Sequence, residues 1–210
     1  RMEPVWMALG QAAGTAAHVC RKLYKEPRNV PLNRVQSILL DADQVISVFD
    51  DVGKDETVTA EQWKAMQFWA TRGFFLTYEA EPQRELSRGT CAQWVMRAIN
   101  LGDLMPAYGP SVKHLGGGSP ESCLAQLQRL GILSVAGESS AVMTEEEMNA
   151  WFQKMRPWID GSLGDTWKTY VSAVQDAGAA AESAESKPVT TAVFCEALYK
   201  LYRSRRPAHV

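Results

Sequence analysis

Residues 66–99 read MQFWATRGFFLTYEAEPQRELSRGTCAQWVMRAI. An apolar run ends at Gly73, a loop follows, and Ser87 opens a second apolar run. The pattern returns at 124–155, LAQLQRLGILSVAGESSAVMTEEEMNAWFQKM, and at 170–202, YVSAVQDAGAAAESAESKPVTTAVFCEALYKLY. Self-similarity at this period marks a supersecondary unit that cannot bury its own apolar face. Gly73, Gly131 and Gly178 fit the position just past a helix end, where a left-handed residue is needed. Ser87, Thr144 and Thr190 lie 14, 13 and 12 residues beyond them. A hydroxyl there can accept a bond from a free amide of the next helix. Thr144 and Glu147 also have the spacing of a capping box.

The apolar positions agree between copies. Counted from each cap, position +4 is Cys91, Met148 and Phe194, and +8 is Val95, Phe152 and Leu198. Position +7 is Trp94, Trp151 and Ala197, and +11 is Ala98, Met155 and Leu201. Counted back from each glycine, −4 is Trp69, Leu127 and Val174, and −7 is Met66, Leu124 and Val171. These offsets put one apolar stripe on each helix. The expectation is a mostly α-helical fold. Three helix-loop-helix pseudo-repeats over 59–203 pack around one shared core, with a tail at 204–210.

The first 50 residues are of another kind. Residues 9–17, LGQAAGTAA, belong to a helix with no charged residue between Glu3 and Arg21. We expect that helix over residues 10–25, ended by Pro27. Pro31 suits the first position of a second helix, whose stripe is Leu32, Val35, Ile38 and Leu39. Residues 45–49, VISVF, suggest a short extended piece, and we place a linker at 51–58. The chain opens on Arg1 rather than Met, which reads as a fragment or a processed product.

Composition sets the outer bounds. The 210 residues are 46% hydrophobic with a net charge of −2. Such a chain can fill a core, and it carries no global basic footprint for nucleic acid. No apolar run is long enough to span a bilayer. Cys20, Cys91, Cys123 and Cys195 form no CxxC pair, so they read as buried small hydrophobes rather than metal ligands.

Two resemblances follow. "RMEPVWMALGQAAGTAAHVC…NVPLNRVQSILLDADQVI", residues 1–48, resembles the C-terminal end of a family of bacterial FAD-dependent oxidoreductases, some of which carry the name xanthan lyase. The resemblance implies that residues 1–50 are the tail of an FAD-binding domain whose remainder is not in this chain. It implies that Gly10, Gln11, Ala12 and Gly14 approach the flavin, with the amides of residues 10–12 at the positive end of the helix. The GxGxxG fingerprint is nowhere in the sequence, so the chain alone is not expected to hold FAD. The second resemblance covers 59–203, which look like degenerate S-layer homology motifs. That family opens its second helix with Thr-Arg-Ala-Glu and can bind cell-wall polysaccharide. The tetrads here are Ser87-Arg88-Gly89-Thr90, Thr144-Glu145-Glu146-Glu147 and Thr190-Thr191-Ala192-Val193, and only Arg88 matches the family's arginine. The resemblance makes Arg88 the candidate glycan contact and allows the bacterial cell envelope or periplasm as a location, while the sequence itself does not give the compartment.

Other features read more plainly. Trp69, Trp94 and Trp151 fall at core offsets, while Trp158 and Trp167 look free to be exposed. "HLGGGSP" at 114–120 and "AGAAAESAESKP" at 177–188 read as loops. His114 reads as a loop residue, and Arg203, Arg205 and Arg206 as a solvated tail. No catalytic group, substrate or metal site can be assigned from the sequence.

Overall fold

The computed structural model describes residues 2–52, 58–100, 118–160, 173 and 187–204. Among them are seven α-helices, a short 3₁₀ turn and no strand. The described residues divide into two compact units, one running to Ala80 and the other beginning at Glu81.

In the first unit, α1 spans Glu3–Leu23 and so begins well upstream of the expected residue 10. It ends where expected, with Tyr24 left-handed at φ 51°. The Lys25 amide closes the last turn on the Cys20 carbonyl at 2.9 Å, before Pro27 opens the 3₁₀ turn. Helix α2 is Leu32–Asp41, and Pro31 is its N-cap rather than its first residue. Val19, Val35 and Leu39 form the centre of this packing, with Ala12, Ala16, Leu23, Val30 and Ile46 around them. Leu32 and Ile38 are exposed instead of joining the stripe, and Leu40 is buried in their place.

Residues 45–49 are not held by strand pairing. The buried Gln67 side chain holds them, its Oε1 accepting the amides of Ile46 at 2.9 Å and Ser47 at 3.4 Å. Gln67 lies on α3, Ala60–Ala70, which opens with a full capping box between Thr59 and Gln62. Phe49 is buried with its ring 5.0 Å from Phe75 and 6.0 Å from Trp63. The Asp50 amide donates to the Tyr78 carbonyl at 2.8 Å, and the Ala80 amide to Asp51 Oδ1 at 2.9 Å. These ties hold residues 50 and 51 to residues 78 and 80 within the first unit, which runs to Ala80. Helix α3, expected to be the first helix of the repeat module, sits in the first unit.

The second unit contains α4 Arg88–Asn100, α5 Pro120–Arg129, α6 Glu145–Ile159 and α7 Thr191–Arg203. The three cap segments are joined in a closed ring. The amide of Leu86 donates to Val189, that of Val189 to Met143, and that of Met143 to Leu86, at 2.9, 2.9 and 2.8 Å. Two residues on, Arg88 donates to Ala141, Glu145 to Lys187, and Thr191 to Arg84, at 2.8, 2.9 and 2.9 Å. Each residue sits at the same offset from its own cap, so the ring has threefold pseudo-symmetry. Inside, Phe194 lies 6.0 Å from the Trp94 ring and 5.7 Å from Phe152. All the +4, +8 and +11 residues are buried. Of the glycines, Gly73 and Gly131 are left-handed at φ 71° and 68°. Gly178, Val171 and Val174 lie outside the described residues, as do nearly all the residues expected to form the first helix of the third pseudo-repeat.

Ser87 and Thr144 cap as expected, accepting the amides of Thr90 at 3.2 Å and Glu147 at 3.3 Å. Thr190 holds the cap position and backbone but makes no side-chain cap bond. Trp94 and Trp151 are buried. Trp158 is a correction: it is 1% exposed, because it lies one helical turn beyond Met155 on the same buried stripe. Trp167 lies outside the described residues.

Candidate functional site

The N-terminal half of α1 is the feature the fold leaves unexplained. Ala12, Ala16, Val19 and Leu23 recur at helical spacing and turn toward α2. The opposite face carries Gly10, Ala13, Gly14 and Ala17, all exposed. A Cβ built on Gly10 or Gly14 meets nothing within 4 Å. Before them, Val5, Trp6, Met7 and Leu9 are 48%, 63%, 75% and 55% exposed. A run of large apolar side chains in water is costly, and such patches mark contact surfaces. The sequence signal for these four was the unbroken run VWMAL, which has no helical period.

The residues implied as flavin contacts fall on this helix. Gly10, Gln11 and Gly14 are exposed, and Ala12 is half-buried against the α1–α2 packing. Because α1 starts at Glu3, the amides of residues 10–12 lie inside the helical ladder rather than at its free end. The small side chains leave room for a planar group, and no charged residue lies between Glu3 and Arg21. The amide donors are the part of the expected site that this conformation withholds.

Arg88 is placed differently. It begins α4 and is 9% exposed. Its Nε donates to Glu147 Oε1 at 2.6 Å, on the first turn of α6. Gly137, left-handed at φ 65°, lies directly against the guanidinium. The Glu147 carboxylate that would complete a box with Thr144 is thus engaged by Arg88. The sequence offered no signal for this pairing across 59 residues.

The four cysteines are buried and none is in a disulfide. Burial, with Glu147 and Cys195 adding to it, pushes the Cys91 thiol well above its ordinary range. Burial also raises Cys195 and Cys123. Thiols so placed stay protonated and are poor nucleophiles. Ser139 donates to Glu121 at 2.6 Å and lowers that carboxyl, which is exposed. Among the described residues no three His, Cys, Asp or Glu side chains cluster as a metal site. No described helix is long and apolar enough to cross a membrane. His18 is exposed, and His114 and His209 lie outside the described residues. Arg203 lies over the Tyr199 ring at 5.7 Å, within α7 rather than in a free tail, and Arg205 and Arg206 lie outside the described residues.

The family model described as FAD dependent oxidoreductase matches residues 1–39. That span takes in all of α1 and most of α2. No curated protein and no solved structure matched the chain.

Proposed function

We propose that residues 1–50 are the C-terminal part of the flavin-binding domain of an FAD-dependent oxidoreductase, followed by an appended helical module. One observation carries the reading. The matched span, residues 1–39, contains the helix that is bare of charge and open around Gly10 and Gly14. Gly10, Gln11, Ala12 and Gly14 are the residues that would face FAD. Flavin supplies hydride or electron transfer when bound, and the protein supplies position and electrostatics. This chain's part is a close, uncharged helix face and the dipole behind it. The nucleotide half must come from sequence carrying the glycine fingerprint. The test is to read the coding sequence upstream of Arg1, express the longer product, and record its flavin spectrum beside that of residues 1–210. Flavin on the longer product and none on 1–210 supports the reading. A longer product that neither encodes the fingerprint nor holds flavin overturns it.

The ring of caps favours a second reading for the module alone: an S-layer-homology-like unit of the bacterial cell envelope. Its scaffold is the stronger half of that idea. Glycan binding through Arg88 is the weaker half, because Glu147 already neutralises the guanidinium. Co-sedimentation with purified cell-wall polysaccharide separates them. Binding that Arg88→Gln abolishes supports a glycan site, and no binding leaves a packing module.

A further inference from the structure

We propose that the connecting end of the α1–α2 hairpin docks on an anionic phospholipid bilayer. Arg21, Lys22, Lys25 and Arg28 face the headgroups, and Tyr24 and Leu32 dip among them. The inference does not depend on the flavoprotein reading above.

Charge is the first observation. Residues 18–34 carry Arg21, Lys22, Lys25, Arg28 and Arg34 against the single acid Glu26, in a chain whose net charge is −2. The basic character that the whole chain lacks is gathered in one place. His18 and Arg21 lie one turn apart on the side of α1 away from Val19 and Leu23, and Lys22 flanks them. The dipole at the end of α1 accounts for Arg21 and Lys22, which sit in its last turn. It does not account for Lys25 and Arg28, which lie beyond that end. All four are exposed. Arg28 meets Glu26 at 3.2 Å, with both side chains mostly in water. Among the described residues no acid pairs with Arg21, Lys22 or Lys25.

The second observation is that the same end of the hairpin holds two large side chains in water. Tyr24 is 97% exposed and Leu32 68%. Tyr24 ends α1 in the left-handed conformation, where a helix ordinarily carries glycine. Leu32 opens α2 on the far side of the connection. A soluble polyanion satisfies the cations and leaves both of these side chains in water. An anionic bilayer satisfies both kinds of group. Its surface charge meets the cations, while an aromatic ring and an aliphatic chain enter the headgroup region. Each Lys or Arg held at such a surface strengthens binding about five-fold, and salt weakens it. Four cations and two shallow tips make a reversible contact rather than an anchor.

The test is co-sedimentation of residues 1–210 with two kinds of vesicle, phosphatidylcholine alone and an equal mixture with phosphatidylglycerol, at low and at high salt. The mixed vesicles should carry the protein down at low salt and release most of it at high salt. Phosphatidylcholine vesicles should not carry it. Arg21→Gln/Lys25→Gln should lower partitioning onto the mixed vesicles about ten-fold or more. Tyr24→Gly suits the left-handed backbone, so the melting temperature should hold or rise. Partitioning of that variant should nonetheless fall about three-fold or more, which separates the ring from the fold. No binding to the mixed vesicles at low salt overturns the proposal. Equal binding to both vesicles overturns it by removing the role of charge. Binding that both variants leave unchanged overturns it by moving the contact elsewhere on the chain. Binding that falls with Arg21→Gln/Lys25→Gln but not with Tyr24→Gly overturns it in favour of a soluble polyanion, and inorganic polyphosphate should then bind as tightly as the mixed vesicles.

Discussion

The Arg88 guanidinium lies so close to the backbone of Gly137 that a Cβ on that glycine would stand 1.9 Å from Nη1. Gly137 is also left-handed, at φ 65°. Gly137→Ala therefore meets two costs, one steric and one conformational. We expect it to destabilise the protein by about 2–4 kcal/mol. In an Arg88→Ala background the clash is gone, and the same substitution should cost only about 1–2 kcal/mol for the left-handed backbone. Urea unfolding of the four variants gives the coupling. Equal costs in both backgrounds would show that the arginine does not rest on Gly137.

Arg88 and Glu147 tie the first turn of α4 to that of α6, with side chains only 11% and 24% exposed. Removing one member of a mostly buried pair leaves the other charge without compensation. Glu147→Ala should cost about 2–4 kcal/mol, and Arg88→Met in that background should recover part of the loss. A loss below about 0.5 kcal/mol would class the pair with solvated surface bridges.

The three caps should not be equivalent. Ser87→Ala and Thr144→Ala each remove an acceptor from a first-turn amide and should cost about 1 kcal/mol. Thr190 makes no such bond. Thr190→Ala should cost clearly less, and chemical denaturation of the three variants ranks them. A Thr190 effect as large as the other two would mean that the hydroxyl caps α7 after all.

What was legible in the sequence is what is local. A cap hydroxyl and an apolar stripe lie within one helix, so Ser87, Thr144 and Thr190 could be aligned without a structure. The ring that joins them adds no side-chain signal, since its bonds are all backbone. The placement of α3 was not legible, because it depends on the Gln67 amide reaching residues 46 and 47. Trp158 was not legible as core because Pro157 and the glycines that follow hide the continuation of α6 to Ile159, which puts Trp158 three residues past the buried Met155. The helical start at Glu3 was hidden by the glycine at 10, which reads as a beginning but sits here in the interior.

The buried thiols give the protein an alkaline limit. Cys91 and Cys195 have folded pKa values raised above the unfolded range near 8.5–9. Below that range both states are protonated and the stabilisation is fully present. Above it the unfolded chain loses the proton while the folded chain keeps it, so stability falls with rising pH until the folded thiol ionises. Each thiol contributes a slope of at most about 1.4 kcal/mol per pH unit. Melting temperatures from pH 8 to 10.5 should fall more steeply for wild type than for Cys91→Ala/Cys195→Ala. Parallel curves would show that neither thiol is shielded from solvent.

Gly10 and Gly14 should respond with opposite signs in the two settings. In residues 1–210 both lie inside α1, and a Cβ on either meets nothing within 4 Å. Alanine there removes freedom from the unfolded chain without a clash, so Gly10→Ala and Gly14→Ala should each stabilise by about 0.5–1 kcal/mol. On the proposed reading, Gly10 would be a point of close approach in a longer protein that holds flavin. Gly10→Val should then crowd the ring and lower flavin content and shift its reduction potential. Gly14 lies one turn further from the helix start, so Gly14→Leu should disturb packing more than the flavin. Unfolding curves on 1–210 and flavin titration with potentiometry on the longer protein read the two settings separately. A stabilised 1–210 together with an unchanged flavin content and potential would mean that the open face of α1 serves packing alone.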